Sequence, residues 1–400
     1  MLALTFYGLR QVMKLFNLTL MVLTLFTLSS CNQLPSSDAE DKLANDHSLK
    51  DAYQGLFKLG VAINQNQAIN KDQQGAAIAA QHFSVLTPEN DMKWESIEPI
   101  ENQFTWQGAD ALIAFAASHN QSVIGHTLVW HSQTPDWVFE ASPGVPASRE
   151  LLLQRMQAHI NALAGRYKGK IMGWDVVNEA LNEDGSLRDS KWRQIIGDDF
   201  IEKAFEFASK AAPNAELYYN DYNLYKPEKR AGALRIAANL LKKGIRIDGI
   251  GEQAHYDLNP PVKQLNDSIE AFASLGLKVM ITELDISVLK FPDESKMGAD
   301  VSLNFALQES FNPYSMGLPM AVEEKLHDAY ASVFAVLLKH HKVIDRVTFW
   351  GVTDADSWRN GWPMKGRTDY PLLIDRNHQV KPFVSELLKS AQNFKSELAQ

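Results

Sequence analysis

Two segments of the 400-residue chain end apolar runs in carboxylates. Trp174-Asp175-Val176-Val177-Asn178-Glu179-Ala180 leads to Glu179, and Met280-Ile281-Thr282-Glu283-Leu284-Asp285-Ile286 carries Glu283 and Asp285. Side chains two apart on a strand share a face, so Glu283 and Asp285 are expected to point one way and Thr282, Leu284 and Ile286 the other. Acids suit the open mouth of a sheet and not the surface beneath a helix. A pair of glutamates there fits acid–base or nucleophilic chemistry. Cleaving a glycosidic bond needs one carboxyl that gives a proton to the leaving oxygen and one carboxylate on the other side of the ring. Direct attack needs the two about 5–5.5 Å apart, and attack through water about 6.5–9.5 Å. The sequence does not set that spacing, and either glutamate taken alone is equally compatible with an ion pair at a rim.

The elements that must position these residues follow one rhythm. Short runs rich in β-branched and aromatic residues lie at 57–64, 83–90, 122–130, 171–179, 216–223, 249–256, 278–286 and 346–353. Most are almost continuously apolar, as in parallel strands buried on both faces. Amphipathic stretches separate them, for example 149–167, 200–211, 227–243 and 323–340, and a last one at 382–398 closes the chain. Strand and helix in alternation predict an α/β fold with a parallel sheet. Eight repeats in about 340 residues predict a (β/α)8 TIM barrel, a single catalytic domain over 51–396. An open doubly wound sheet usually carries a glycine-rich loop after its first strand, and Ala62-Ile63-Asn64-Gln65 offers none. The barrel puts catalytic groups at the C-terminal ends of the strands, where the polar residues of these runs sit. The long stretch 287–322, punctuated by Phe291-Pro292 and Asn312-Pro313-Tyr314, is expected to wall the leaving-group side of the cleft.

Composition narrows the partners. The chain is 45% hydrophobic and 22% charged, with a formal net charge of -9. An acidic chain is poorly suited to nucleic acid, which needs clustered Lys and Arg, and is compatible with a neutral polymer. Arg10 and Lys14 precede an apolar run over 15–28, too short for a comfortable membrane span and ordered like a secretory signal. Translation from Met1 or from Met13 is equally consistent with it. Residues 1–30 are thus expected to be a signal peptide of lipoprotein type. Leu28-Ser29-Ser30-Cys31 closes it with the chain's one cysteine, which excludes an intrachain disulfide. This motif resembles a bacterial lipoprotein cleavage site, and the resemblance implies acylation of Cys31, an anchor that several acyl chains make durable. Residues 31–50 read as a polar, flexible tether. Asn32 after Cys31 favours the outer membrane by the usual sorting pattern, the alternative being a secreted protein.

Metal and cofactor chemistry find no pattern. His126 and His131 are five apart, which fits neither a strand face nor a helical ligand pair. Asp354 and Asp356 lack the further spaced acids of a calcium loop and read as solvated or capping acids.

Six segments together carry a resemblance. They are Thr87-Pro88-Glu89-Asn90-Asp91-Met92-Lys93-Trp94, Gly125-His126-Thr127-Leu128-Val129-Trp130-His131, the run ending at Glu179 and Ala180, Tyr219-Asn220-Asp221-Tyr222-Asn223, Gly251-Glu252-Gln253-Ala254-His255, and Ile281-Thr282-Glu283-Leu284-Asp285. In this order, each at an expected strand end, they resemble glycoside hydrolase family 10, the β-1,4-xylanase family, over residues 51–396. The resemblance implies a retaining endo-1,4-β-xylanase that acts as a monomer on xylan and xylo-oligosaccharides without a cofactor. It implies Glu179 as acid/base, protonated before attack, and Glu283 as nucleophile. Asn178 then holds the sugar 2-hydroxyl, and His255 and Asp285 orient the nucleophile, with Gln253 on the same face as His255. Glu89, Asn90 and Lys93 match hydroxyl ligands, His126 and Trp130 the wall of the cleavage subsite, and Trp350 and Trp358 tryptophans that cover the sugars. The resemblance implies Trp358 as the bulky wall near C5 that would exclude glucose. Tyr222 matches a sugar-contacting tyrosine and is equally readable as packing. Trp94, Trp106, Trp137, Trp174 and Trp192 read as packing residues. The alternatives are a related retaining β-glycanase acting on xylo-oligosaccharides or β-glucan, and a lipoprotein that binds glycan without cleaving it.

Overall fold

The computed structural model describes residues 48–290 and 310–400. The expected signal peptide, Cys31 and most of the tether lie outside the described residues, as does 291–309 in the long loop. Among the described residues no helix is long and apolar enough to cross a membrane.

Eight parallel strands close on themselves: β1 (Lys58–Ile63), β2 (Val85–Pro88), β3 (Ser122–Trp130), β4 (Gly173–Asn178), β5 (Glu216–Asp221), β6 (Gly249–Glu252), β7 (Lys278–Ser287) and β8 (Ile344–Phe349). Each pairs with its neighbours in sequence order, and β8 pairs with both β7 and β1, with Lys58 opposite Arg346. The principal helices that follow the strands are α1 (Gln73–His82), α2 (Gln107–Ser118), α3 (Arg149–Arg166), α4 (Phe200–Ala211), α5 (Pro227–Lys242), α6 (Val262–Ala273), α7 (Met320–Lys339) and α8 (Val384–Leu398). The (β/α)8 barrel is therefore closed, and all eight strands fall on the expected runs.

Two hydrophobic layers hold it. The larger lies between strands and helices, where Leu112, Ile160, Phe205, Ile236 and Phe334 of the helices meet the outward faces of the strands. The smaller fills the barrel itself with Val85, Ile124, Tyr218 and Met280, one residue each from β2, β3, β5 and β7. Gly173 makes the second layer possible, because a Cβ there would stand 2.3 Å from the Tyr218 ring. The chain enters the fold earlier than expected: Leu49 is buried in a short helix, Leu49–Ala52, so residues 48–50 belong to the barrel and not to the tether.

The described ends of the long loop fasten to the segment after β8. Val288 N–H donates to Asp369, Arg367 donates to the Lys290 carbonyl, and Thr368 N–H donates to Asn312. Trp94, Trp174 and Trp192 are buried packing residues, Trp94 stacking on His159 with centroids 3.7 Å apart.

Candidate active site

Glu283 leaves β7 at an irregularity. Ile281 lies opposite Val347 and Leu284 opposite Phe349, so β7 spends three steps where β8 spends two. Such a bulge breaks strict alternation and re-aims side chains. Thr282, expected to point away, turns inward with Glu283, and both meet one residue. The Thr282 hydroxyl donates to Asn220 Oδ1 at 2.6 Å, which orients the carboxamide. Asn220 Nδ2 then donates to Glu283 Oε1 and to Asn178 Oδ1, each at 2.9 Å. Gly251 leaves room for this, since a Cβ there would stand 2.4 Å from Asn220 Oδ1.

The other oxygen of Glu283 faces His255. Nε2 of His255 is 3.3 Å from Glu283 Oε2, and Nδ1 is 3.0 Å from Asp285 Oδ1. Gln253 and His255 reach the site as expected, but not along one strand face. β6 ends at Glu252, Ala254 takes a left-handed backbone with φ 63°, and His255 opens a three-residue strand paired with Asp285. Asp285 is fully buried and collects donors: Arg359 Nη2 at 2.7 Å, Arg359 Nε at 3.0 Å and Trp358 Nε1 at 2.7 Å. Burial opposes its charge, but Arg359 and His255 outweigh burial and hold its carboxyl well below the usual range. Burial likewise opposes charge on His255, and the carboxylates of Asp285 and Glu283 push it up to about 9. At neutral pH an imidazolium therefore sits between two carboxylates.

Glu179 ends β4 differently. Its backbone is left-handed, φ 56°, and its N–H donates to the Asn220 carbonyl at 2.9 Å. Three neutral donors reach its carboxyl: Trp130 Nε1 at 2.9 Å to Oε2, Gln253 Nε2 at 3.0 Å and Asn178 Nδ2 at 3.3 Å to Oε1. Asn178 and Asn220 thus join the two glutamates through a continuous hydrogen-bonded bridge.

The expected sugar-contacting residues surround this pair. Lys93 is buried, not a surface lysine. Its ammonium donates to Asn90 Oδ1 at 2.9 Å and Gln133 Oε1 at 2.8 Å and lies 5.0 Å from the Trp130 ring. Burial lowers the Lys93 pKa against the pull of Glu283 and Glu89, and burial raises that of Glu89. His126 is held by Asp175 at 3.0 Å and stands edge-on to Trp350, with ring centroids 5.2 Å apart. Trp358 lies 5.1 Å from His255. Tyr222 is half-buried at the rim, where its hydroxyl accepts from Arg188, whose Nε donates to the Glu179 carbonyl.

Several participants had no expected role. Asn220 stood inside a quoted motif, and only the distant residues it joins reveal its work. Arg359 and Gln133 gave no sequence signal. Trp362 is 46% exposed and stacks on Trp358 with centroids 5.1 Å apart, extending the aromatic surface. Asp354 corrects an expectation: it is buried, not solvated, paired with Lys381 at 2.9 Å and bonded by the Leu372 N–H. Among the described residues no cluster of His, Cys, Asp or Glu is arranged to hold a metal ion.

The chain matches the model of glycosyl hydrolase family 10 over residues 48–390. It is 44% identical over 346 residues to an endo-1,4-beta-xylanase A of Xylanibacter ruminicola, covering 86% of this chain and 94% of that one. An endo-1,4-beta-xylanase of Geobacillus stearothermophilus is 42% identical, covering 84% and 96%. A solved endoxylanase retrieved from a sugarcane soil metagenome superposes with a TM-score of 0.80 at 42% identity, over 86% of this chain and 99% of that one. A mutant solved in complex with xylotriose superposes at 0.77 with 38% identity, over 86% and 99%. By sequence, by barrel and by the residues at its mouth, this chain belongs to glycosyl hydrolase family 10.

Proposed function

We propose that this protein is an endo-1,4-β-xylanase that hydrolyses internal bonds of xylan and xylo-oligosaccharides with retention, as a monomer. The observation that carries the reading is the bridge through Asn220 and Asn178, which ties Glu283 and Glu179 into one unit at the barrel mouth. The names of its relatives supply the substrate.

In this mechanism Glu283 attacks the anomeric carbon. The bond to the leaving oxygen breaks as the Glu179 carboxyl gives that oxygen its proton. The product is a glycosyl ester on Glu283, and Glu179 is left as a carboxylate. Water then gives a proton to Glu179, and its oxygen displaces Glu283 from the same carbon. The His255 imidazolium faces Glu283 Oε2, where it meets the charge that Glu283 regains as it leaves in the second step. Asn178 offers its carboxamide to the sugar 2-hydroxyl. Trp358, pinned by Asp285, is a rigid wall for C5, and steric exclusion of a hydroxymethyl is steepest against a rigid wall.

The basic, apolar and small-residue order before Cys31 supports export and a lipid anchor, and Asn32 after Cys31 supports the outer membrane as destination.

The test compares rates on xylan, carboxymethylcellulose and aryl xylobiosides and reads the anomer released first by NMR. The reading expects xylan and xylobiosides to be cleaved far faster than the glucan, with the β-anomer formed first. Preference for the glucan would overturn the substrate, and an initial α-anomer would overturn retention.

A further inference from the structure

The two ends of the barrel carry opposite charge. Arg166 ends α3 and Lys168 and Lys170 follow it, while Lys242 ends α5 and Lys243 and Arg246 follow it. Lys339 ends α7 and Lys342 follows it, while Lys58 and Lys278 open β1 and β7. Against these the same end holds fewer acids: Asp248 in a turn, Glu216 and Asp345 at the starts of β5 and β8, Glu270 in the last turn of α6, and Asp51 in the short first helix. Several of the cations are already paired, Lys58 with Asp345 and Lys278 with Glu216 among them. Lys168, Lys170, Lys242 and Lys342 are exposed, and no ion pair among the described residues includes them. A cleft of about 490 Å³ opens at the same end, with Lys50, Lys58, Lys278, Lys342 and His341 in its walls against Asp51 and Asp345. This basic face belongs to a chain whose net charge is -9, and the loops at the catalytic end hold the excess of acids.

The chain also enters the barrel at the basic end. Ser48 donates to the Gln81 carbonyl, the Leu49 N–H to His82, and Lys50 to the Ala80 carbonyl, all at the end of α1. Residues 1–47, with the apolar run over 15–28 and Cys31, join there.

We propose that the helix-to-strand end of the barrel docks on an anionic phospholipid surface, so that the catalytic mouth faces away from the membrane. Charge complementarity favours that surface at the place where the segment proposed above as membrane-directed joins the barrel, and the proposal rests on that reading for this placement. Basic residues near an anionic bilayer are drawn to it within about one Debye length. The acidic catalytic end is repelled by the same field, so the charge pattern selects an orientation as well as a surface. The charge pattern depends neither on the substrate nor on acylation of Cys31.

The test is co-sedimentation of the full chain carrying Cys31→Ser, which removes acylation. The vesicles are phosphatidylcholine alone or with about a quarter phosphatidylglycerol. The comparison is with the same chain carrying Lys168→Glu, Lys170→Glu and Lys342→Glu, three exposed changes outside the catalytic site. The first chain is expected to bind the phosphatidylglycerol vesicles at least about tenfold more tightly than the second, and to lose that advantage in about 0.5 M salt. Both retain the same rate on a soluble substrate, and vesicle binding is read without reference to turnover. Equal binding by the two chains, or no binding by the first, would overturn the proposal. So would binding that appears only after Asp38, Glu40, Asp41 and Asp46 are neutralised, since the preceding segment would then be the occupant of the face.

Discussion

Glu283 and Glu179 sit in one cleft but are held by different physics. Around Glu283 the neighbours are charged: His255 lies between Glu283 and Asp285, and Arg359 lies behind Asp285. Around Glu179 they are neutral: an indole and two carboxamides. The first environment suits a group that must remain an anion until it attacks. The second suits a group that must carry a proton at one stage and lose it at the next, because no fixed cation touches its carboxyl. The contrast teaches that the two roles are set by what surrounds each carboxyl.

The largest way to break the charged half is to remove its centre. Asp285→Ala leaves Arg359 buried without its anion and His255 with Glu283 alone, and should cost about 3–5 kcal/mol of stability along with activity. Denaturant unfolding measures it, and an unchanged midpoint would mean that the ion set contributes little to the fold. Asn220→Ala cuts the bridge between the halves. We expect kcat/KM to fall on the order of 10²–10³-fold with a stability loss of about 1–3 kcal/mol, measured by kinetics and unfolding together. A loss of stability alone would reduce Asn220 to a packing residue.

The pH dependence sharpens the comparison. His255 is raised to about 9, so the stability its ion pairs contribute is complete below its ordinary pKa of about 6.5 and is lost as pH rises through about 9. The midpoint of thermal unfolding should decline over that window in the wild type, and His255→Gln should lack this decline. Asp285, held low, contributes stability above the ordinary carboxylate range that is lost as pH falls through its depressed value. An effect of opposite sign belongs to Glu252, the buried last residue of β6. Burial raises it to about 8, and its Oε2 has no hydrogen-bond partner among the described residues. The folded state holds this proton, so its contribution makes stability fall from the ordinary glutamate range up to about pH 8. Glu252→Gln should remove that slope and raise the unfolding midpoint at pH values above about 8.

The barrel was legible because parallel strands buried on both faces leave unbroken apolar runs, and β3 and α4 fall on the expected residues. The glutamates were legible because they end such runs and because the six motifs share an order. What periodicity could not show was the bulge in β7, which brings Thr282 inward, and the break at Ala254, which carries His255 to Asp285. Both are single-residue departures from the two-residue repeat. Arg359 and Gln133 were invisible for another reason: each meets its partner across a large sequence separation, and neither belongs to a quoted motif. Asp354 read as a solvated acid because its partner Lys381 lies beyond the loop that carries it.

The division of labour between the two carboxyls is tested most directly by hydrolysis of an aryl β-xylobioside and of xylan by wild type, Glu283→Ala and Glu179→Ala, with and without azide. Glu283→Ala should lose turnover by at least about 10⁴-fold on both substrates, with azide restoring the aryl substrate as an α-glycosyl azide. Glu179→Ala should spare the aryl substrate, whose leaving group needs little protonation, far more than xylan, and azide should give the β-product. Swapped azide products would exchange the two roles, and mutants as active as wild type would contradict the account.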